Sequence, residues 1–318
     1  MKLLFVADPL ASFKTYKDTT FSMMREAAAR GHALAACEPR HLAWQRGGRV
    51  TAAVQDVRLT GGEPWFDAAA PRQAALAEFD AVLMRKDPPF DAEYIYATHL
   101  LEQAEREGAR VINRPRALRD HPEKLAIMEW PEFIGPTLVT RAAADIHAFH
   151  AQHQDIILKP LDGMGGMGIF RVGPDALNLG SIIETLNHGG ATTVMVQKYL
   201  PEIVAGDKRV IIIGGEPAPY CLARIPQGSE IRGNLAAGGK GVAQPLSDTD
   251  RATARAIGQR LAPRGLLLIG LDIIGDKVTE INVTSPTGFQ EIHQQTGCNV
   301  PALFIDAVEQ AAQAPRPA

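Results

Sequence analysis

The chain has few cysteines and no long apolar run. Its three cysteines, Cys37, Cys221 and Cys298, are far apart in the 318 residues and form no CxxC pair. A small, odd number excludes a disulfide framework and is typical of a reducing compartment, so we expect a cytoplasmic protein with buried thiols. No apolar stretch approaches the about 20 residues that a transmembrane helix needs. The opening run, residues 3–7, is too short for a signal peptide.

The chain also lacks a strong excess of charge of one sign. It has 33 Lys and Arg residues against 36 Asp and Glu residues, for a formal net charge of −3. Because proteins hold nucleic acids largely through basic surfaces, we expect neither a nucleic acid nor a membrane as a partner. With 46% hydrophobic residues in 318, the chain can form two or three domains with substantial cores.

The N-terminal segment alternates strands and helices. The pattern predicts a strand over 2–7, a helix over 19–31 that Asp18 or Thr19 caps, and a second strand over 32–37. Such a β-α-β opening predicts a parallel sheet with helices on its faces.

A later strand, predicted over 81–84, leads directly into Arg85 and Lys86. Ligands of such sheets bind beyond the carboxyl ends of the strands. Arg85 is therefore a candidate for ligand binding, and the alternative is an ordinary solvated loop.

Two carboxylates and an amide form the most informative cluster, near the C-terminus. Asp272 lies in a predicted strand over 266–274, and Glu280 and Asn282 lie in the next one, over 277–283. Their oxygens are ligands that Mg²⁺ prefers, and Glu280 and Asn282 share one face of their strand. A two-residue turn would send Asp272 and Glu280 to opposite faces, so a metal site requires an odd register or a bulge. The alternative is a surface hairpin with solvated acids.

A glycine-rich segment over 163–168 matches G-x-G-x-x-G. It leads into a strand-like stretch over 169–172, so it offers no helix N-terminus to a dinucleotide, and no P-loop lysine follows. Bare backbone N–H groups in a glycine hairpin can still close over phosphate oxygens, with Lys159 just upstream. The alternative is a flexible hairpin without a ligand. The four glycines are Gly163, Gly165, Gly166 and Gly168.

A hairpin over 208–225 precedes a second glycine-rich stretch. Arg209 and Arg224 in this hairpin could neutralise a phosphoryl group in transfer, or each could form a structural ion pair. The composition of 226–244 predicts a long mobile loop. We find no Ser-His-Asp pattern that would indicate a side-chain nucleophile.

Several long motifs together resemble those of the bacterial glutathione synthetases of the ATP-grasp superfamily. The resemblance runs nearly end to end, and the run after SPT departs from it by a glycine, Gly288. The motifs are ADPLASFKTYKDTTFSM, VLMRKDPPFDAEYIYAT, INRPRALRDHPEKL, LKPLDGMGGMGIFRV, DKRVIII, YCLARIPQGSEIRGNLAAGGKG and GLDIIGD with TEINVTSPT.

This resemblance implies an α/β (α+β) ATP-grasp fold in three parts. Residues 1–122 would form an N-terminal parallel-sheet α/β domain, 123–200 a central lid domain, and 201–318 a C-terminal catalytic domain with an antiparallel sheet. It also implies a homo-oligomer.

The implied reaction joins L-γ-glutamyl-L-cysteine to glycine with ATP and Mg²⁺ or Mn²⁺, giving glutathione, ADP and phosphate. The loop over 226–242 would close over the site. The implied ATP-binding residues are Lys124, Lys159, the four glycines, Gln197, Tyr199, Leu200 and Asp207. The implied metal ligands are Asp272, Glu280 and Asn282. The implied substrate-binding residues are Arg85, Asn282, Ser285 and Thr287, and the implied catalytic residues are Arg209 and Arg224.

Three alternatives stay open from the residues alone. Another ATP-grasp carboxylate–amine ligase, such as a D-alanine–D-alanine or glutamate ligase, would share Lys159, the glycine hairpin and the cluster of Asp272, Glu280 and Asn282. A nicotinamide-dependent oxidoreductase would need a helix directly after Gly168. A nucleotide-binding regulator without catalysis is the third.

Overall fold

The computed structural model describes residues 1–228 and 230–314. Its strands form three sheets, of eight, four and five strands. Ser229, within the predicted loop, and residues 315–318, within the predicted C-terminal domain, lie outside the described residues. In the described part of the chain, no helix is both long and apolar enough to cross a bilayer.

The eight-stranded sheet contains the parallel strands that the opening pattern predicts. Its strands are β1 (Lys2–Val6), β2 (Ala33–Cys37), β3 (Leu42–Ala43), β4 (Thr51–Leu59), β5 (Phe66–Ala68), β6 (Arg72–Ala75), β7 (Ala81–Met84) and β8 (Val111–Ile112). The strands β2, β1, β7 and β8 run parallel in that order. The strand β4 adds to β2 in the antiparallel sense and carries β3, β5 and β6.

The helices of this part are α1 (Thr19–Ala29), α2 (Ala92–Arg106) and α3 (Pro115–Asp120). The predicted cap of the first is confirmed, since the Asp18 carboxylate accepts the backbone N–H of Phe21 at 2.7 Å. Helix α1 is followed by Gly31 at φ +79°, a conformation that glycine adopts without strain.

The four-stranded sheet is antiparallel, in the order β11-β10-β12-β9. Its strands are β9 (Thr137–Thr140), β10 (Ile156–Pro160), β11 (Phe170–Val172) and β12 (Val194–Lys198), and its helices are α4 (Ala143–His153) and α5 (Leu179–Asn187). Helix α5 packs the apolar residues Ile183 and Leu186 into a small separate core with Ile156 and Val196.

The five-stranded sheet is antiparallel, in the order β15-β14-β13-β16-β17. Its strands are β13 (Asp207–Ile213), β14 (Glu216–Ile225), β15 (Lys240–Pro245), β16 (Leu268–Ile274) and β17 (Lys277–Asn282). The helices are α6 (Asp248–Leu261), α7 (Phe289–Thr296) and α8 (Val300–Gln313). This sheet shares its buried core with the first one, where Leu4 and Val82 belong to the same cluster as Val210 and Ile269.

The structure corrects one element prediction. Residues 240–244 are not loop, because they pair with β14 as part of β15. β8 ends at Ile112, because the Asn113 side chain turns away from its own sheet to bond the backbone of Leu268 and Val283. Lys124 directly precedes a 3-10 stretch, Leu125–Glu129.

Candidate active site

One large cavity, of about 600 Å³, lies where the three sheets meet. All but one of the site residues expected from the sequence line it. The exception is Gly168, at φ +70°, where a Cβ would lie 3.1 Å from the Pro160 ring. Gly168 therefore allows the glycine loop to return tightly over Pro160.

The hairpin of β16 and β17 contains the irregularity that a metal site requires. Its turn has two residues, and Ile274 pairs with Lys277, but Asp272 pairs with Glu280. The register shifts between Asp272 and Ile273, and Thr279 is the extra residue of the bulge, with no paired residue on β16. The bulge places Asp272 and Glu280 directly opposite each other, which a metal site formed by both carboxylates requires.

Asp272 is the centre of a buried ion-pair network. Its carboxylate accepts Arg209 Nε at 2.6 Å and Arg209 Nη2 at 3.1 Å, and Arg224 Nη2 lies 2.9 Å away. Burial alone would raise the pKa of Asp272, but the two guanidinium groups hold that pKa well below its usual range. Asp272 is therefore charged at neutral pH.

Asp207 lies beside this network, but the pKa of its carboxyl is raised, whereas that of Asp272 is lowered. It pairs with Arg224 across β13 and β14, and its Oδ1 is buried without a hydrogen-bond partner among the described residues. Burial raises the pKa of Asp207 to about 6, and the nearby charge of Asp272 adds to this, while Arg224 opposes it. The pair leaves Asp207 with one oxygen free for a ligand donor.

Two lysines line the cavity from opposite elements. Lys124 Nζ donates to the Gly163 carbonyl at 2.6 Å and to Glu280 Oε1 at 3.1 Å. Lys159, near the end of β10, donates to the Thr279 carbonyl at 3.1 Å, and burial lowers its pKa. Each ammonium has three N–H donors, so both lysines can also bind phosphate oxygens.

The end of β12 forms another wall of the cavity, with Leu200 beside Gln197 and Tyr199. Gln197 is buried and donates to Thr137 Oγ1 at 3.1 Å. The Arg171 guanidinium lies 3.6 Å from the centroid of the Tyr199 ring, so one face of that ring is covered.

The two glycine-rich loops contact each other at the cavity. Arg232 Nη1 donates to the Gly166 carbonyl at 3.0 Å. A Cβ at Gly166 would lie 2.7 Å from Asn234 Oδ1, and one at Gly165 would lie 3.5 Å from Ala236 Cβ. The missing side chain at Gly166 thus lets the loops pack closely, whereas a Cβ at Gly165 would make an ordinary contact.

On the side of the first sheet, the Arg85 guanidinium is buried. Its Nε donates to Thr20 Oγ1 and its Nη2 to the Pro286 carbonyl, both at 3.2 Å. Its Nη1 is buried with no partner in the described residues, and burial lowers its pKa. A buried, unmatched guanidinium is suited to an anionic ligand group.

The segment after β17 completes this side. Ser285 Oγ donates to the Asp87 carboxylate, and Thr287 lines the cavity. Gly288, the departure noted in the sequence, has φ +114° and donates its N–H to Thr19 Oγ1 at 3.2 Å. A Cβ there would meet nothing closer than Leu222 at 3.6 Å, so this backbone conformation rather than lack of space favours glycine.

Sequence reasoning missed several acidic residues of the cavity, among them Glu123 and Glu291. Glu123 Oε1 accepts the N–H groups of Val283 and Thr284 at 3.0 and 3.1 Å and the Thr284 hydroxyl at 2.7 Å. Its position beside Lys124 in HPEKL was the available signal, because neighbours of a ligand-binding lysine lie near the same site.

The acids and the amide of this cavity fit an oxygen-preferring divalent ion. No group of three His, Cys, Asp or Glu side chains within the described ranges is arranged around a metal position. Asn282 Nδ2 donates to the Gly270 carbonyl at 3.2 Å, which leaves Asn282 Oδ1 as an acceptor. Each carboxylate oxygen of Asp272 and Glu280 has a second lone pair beyond its bond to Arg or Lys. The donor set is hard oxygen throughout.

Comparison with solved structures agrees with this architecture. The chain resembles D-cycloserine synthetase DcsG with a TM-score of 0.68 and 15% identity, over 97% of this chain and 99% of that one. It resembles the ATP-grasp ligase PsnB with a TM-score of 0.65 and 19% identity, over 98% of both chains. At these identities the likeness shows the fold, which is the expected ATP-grasp fold.

Comparison of sequences gives closer relatives. The chain is 59% identical to the glutathione synthetase of Ralstonia nicotianae over 98% of this chain and 96% of that protein. It is 56% identical to that of Nitrosomonas europaea over 98% of both. Residues 1–119 match the prokaryotic glutathione synthetase N-terminal domain, and residues 123–297 match the ATP-grasp domain of the same family. The chain therefore belongs to the prokaryotic glutathione synthetases, which are ATP-dependent ligases.

Proposed function

We propose that this cavity makes glutathione through an acyl phosphate of γ-glutamylcysteine. A carboxylate does not react with an amine at neutral pH, because its oxygen is a poor leaving group. Transfer of the γ-phosphoryl group of ATP to the cysteinyl carboxylate gives ADP and an acyl phosphate. The glycine amine then attacks the acyl carbon, an amide bond forms, and phosphate leaves. No side-chain nucleophile takes part.

In this proposal Lys124 and Lys159 bind the phosphates of ATP beneath the glycine loop. Both ammonium groups line the cavity, and the bulged hairpin holds each of them through Glu280 or the Thr279 carbonyl. Backbone N–H groups of the glycine loop, from Gly163 to Gly166, bind phosphate oxygens, while Gly168 shapes the loop. Gln197, Tyr199 and Leu200 line the adenine, and Asp207 accepts a ribose hydroxyl.

Asp272, Glu280 and Asn282 would hold Mg²⁺ or Mn²⁺. When bound, such an ion offsets phosphate charge during transfer. The protein's own contribution is to keep these oxygens rigid, since Asp272 is fixed by two arginines and Asn282 by the Gly270 carbonyl.

Arg209 and Arg224 would stabilise the charge on the phosphoryl group in transfer. Their positions are set before substrate arrives, because Asp272 binds both, so little reorganisation is needed. On the substrate side, Arg85 would bind a carboxylate of γ-glutamylcysteine through its unpartnered Nη1. Ser285, Thr287 and Asn282 would complete that subsite.

The loop over 226–242 would exclude water, which hydrolyses acyl phosphates. Its contact with Gly166 supports this role, because the phosphate loop and the covering loop then close together. We further propose three domains divided near residues 122 and 200, a homo-oligomeric assembly, and a cytoplasmic location. The location rests on ATP use and on free thiols at Cys37, Cys221 and Cys298.

The observation that carries the proposal is the meeting of lysines, arginines and metal-type oxygens in one cavity. The test is ADP release by the purified protein with ATP and Mg²⁺, with γ-glutamylcysteine and glycine added separately and together. We expect release to require γ-glutamylcysteine, to be fastest with both, and to yield glutathione. Release with a different acid–amine pair alone would move the substrate assignment to another ATP-grasp ligase.

A further inference from the structure

Glu291 is a cavity residue that the proposed reaction does not use. It lies in the first turn of α7 and lines the cavity. Its Oε2 is buried and has no hydrogen-bond partner among the described residues. A buried, unmatched acceptor is unfavourable unless a ligand supplies the donor.

The surroundings of Glu291 contain no cation that pairs with it among the described residues. The charges of Lys17 and Arg209 act on this carboxylate, yet neither residue forms an ion pair with it among the described residues. Burial raises the pKa of Glu291, because no bound cation offsets the loss of water. The carboxylate can still turn about its last bond, so the unmatched oxygen can face an incoming group.

The backbone that carries Glu291 is held firmly. The preceding residue, Gln290, is buried and its Nε2 donates to the Thr15 and Asp18 carbonyls at 2.6 and 2.8 Å. Three residues before Glu291, Gly288 donates its N–H to Thr19 Oγ1. These contacts fix the start of α7 against the start of α1, so the Glu291 carboxylate is offered from a rigid element.

We propose that Glu291 binds the α-ammonium group of the glutamyl end of γ-glutamylcysteine. This inference rests on the proposed function. Two amines enter the reaction, and only glycine's amine must lose its proton in order to attack. A carboxylate beside glycine would stabilise the unreactive ammonium form, whereas the glutamyl ammonium keeps its charge throughout.

The charged groups that line the cavity also favour the glutamyl α-ammonium, rather than the glycine amine, as the partner of Glu291. The glutamyl end of the substrate carries an ammonium and a carboxylate on one carbon, and it therefore needs one acceptor and one cation. Apart from Asp207, which we assign to the ribose, the described residues of the cavity include one carboxylate with a buried unmatched oxygen, Glu291, and one guanidinium with a buried unmatched nitrogen, Arg85. A dipeptide joined through the α-carboxyl group lacks this paired arrangement, so Glu291 would contribute to selection of the γ-linkage.

The test compares two substrates in the full-length enzyme. One is γ-glutamylcysteine, and the other is N-glutarylcysteine, which lacks only the α-amino group. For Glu291→Gln we expect KM for γ-glutamylcysteine to rise about 10- to 100-fold, the usual range for a charge-assisted hydrogen bond. We expect KM for N-glutarylcysteine and for glycine to change less than about 2-fold. The wild-type enzyme should itself prefer γ-glutamylcysteine by a similar factor.

Gln294→Lys is the matched control, because it changes the charge of α7 by the same amount on an exposed position. It should leave every KM unchanged. An equal loss with both acid substrates in Glu291→Gln, or a rise confined to the KM for glycine, would overturn the assignment. The wild-type preference needs no variant, so misfolding of Glu291→Gln cannot hide the answer. If the wild-type enzyme formed no glutathione at all, the proposed function would fail instead.

Discussion

Arg209 and Asp272 lie directly opposite each other on β13 and β16 and share two hydrogen bonds, of 2.6 and 3.1 Å. Arg224 contacts the same carboxylate at 2.9 Å, and all three side chains are buried. One carboxylate therefore positions both arginines that we propose for phosphoryl transfer. Because its loss would leave two buried positive charges without their partner, this network matters for stability as well as for activity.

Asp272→Asn should lower both the stability of the protein and its ligase activity. We expect the free energy of unfolding to fall by about 3–5 kcal/mol, as for a broken buried ion pair, and ligase activity to fall at least about 100-fold. Urea unfolding and the rate of glutathione formation measure the two effects. Glu216→Gln, in the exposed pair with Arg255, is the control and should change neither. Wild-type stability in Asp272→Asn would contradict the network.

Lys159→Met should weaken ATP binding while keeping the bulk of the side chain. Lys159 is buried beside the bulged hairpin, where its charge is poorly screened by water. We expect KM for ATP to rise roughly 10- to 100-fold. Lys277→Met, at the exposed end of the same hairpin, provides the control. Equal ATP affinity in Lys159→Met and the wild type would remove Lys159 from the phosphate site.

Asn282→Asp should change the choice of divalent ion. The substitution adds a charge to the proposed metal ligands and removes the donor to the Gly270 carbonyl. We expect the ratio of Mg²⁺- to Mn²⁺-supported rates to shift several-fold. The matched control is Asn299→Asp, which keeps the oxygen that caps α8. An unaltered metal profile in Asn282→Asp would count against Asn282 as a ligand.

Gly166→Ala should separate ATP hydrolysis from product formation. The added Cβ would lie 2.7 Å from Asn234 Oδ1 and 3.2 Å from Arg232 Cδ, so it should displace both side chains and weaken the Arg232 bond that joins the covering loop to Gly166. Water then reaches the acyl phosphate, so ADP released per glutathione should rise at least about 2-fold. Gly189→Ala is matched, since it also has positive φ but meets nothing within 4 Å. An equal loss of ADP release and of glutathione would argue against a water-excluding role, and so would an unchanged ratio.

Glu105→Gln should alter stability in a pH-dependent way. Burial raises the pKa of Glu105 to about 7, although Arg114 opposes this. The folded protein thus binds this proton more tightly than the unfolded chain, and stability falls as the pH rises from about 4.5 to 7. The variant should be more stable than the wild type at pH 8 by about 1–2 kcal/mol, allowing for solvent screening.

Glu102, one turn earlier in α2, is the control, because its substitution should change the stability in the opposite direction. Burial alone would raise the pKa of Glu102, but its bond to Arg119 lowers it, so this carboxylate contributes stability above its unfolded pKa. Glu102→Gln should therefore be less stable than the wild type at pH 8, and this difference in stability should disappear as the pH falls below about 4.5. Changes of the same sign in both variants would refute this reading of α2.

Local sequence signals predicted much of this architecture. Cap and stop residues around α1 and the alternating pattern near β1, β2 and β7 identified those elements closely. The hairpin of β16 and β17 is the clearest case, because its turn length and the chemistry of the proposed metal ligands together required a bulge between Asp272 and Glu280, and the structure has one.

Features that depend on distant partners could not be predicted in this way. The sequence of β15 indicates a loop, because its residues have little strand propensity of their own and form a strand only by pairing with β14. The Asn113 side chain shortens β8 through contacts with Leu268 and Val283, more than 150 positions away. Glu291 was missed because only the assembled cavity shows that its carboxylate is unmatched.

The most direct test of the account is the fate of oxygen in the acid substrate. γ-Glutamylcysteine labelled with ¹⁸O in its cysteinyl carboxylate would be incubated with ATP, Mg²⁺, glycine and the wild-type enzyme. An acyl phosphate predicts that each phosphate released carries one labelled oxygen and that glutathione forms in equal amount. Glutathione accompanied by unlabelled phosphate would contradict phosphorylation of the carboxylate.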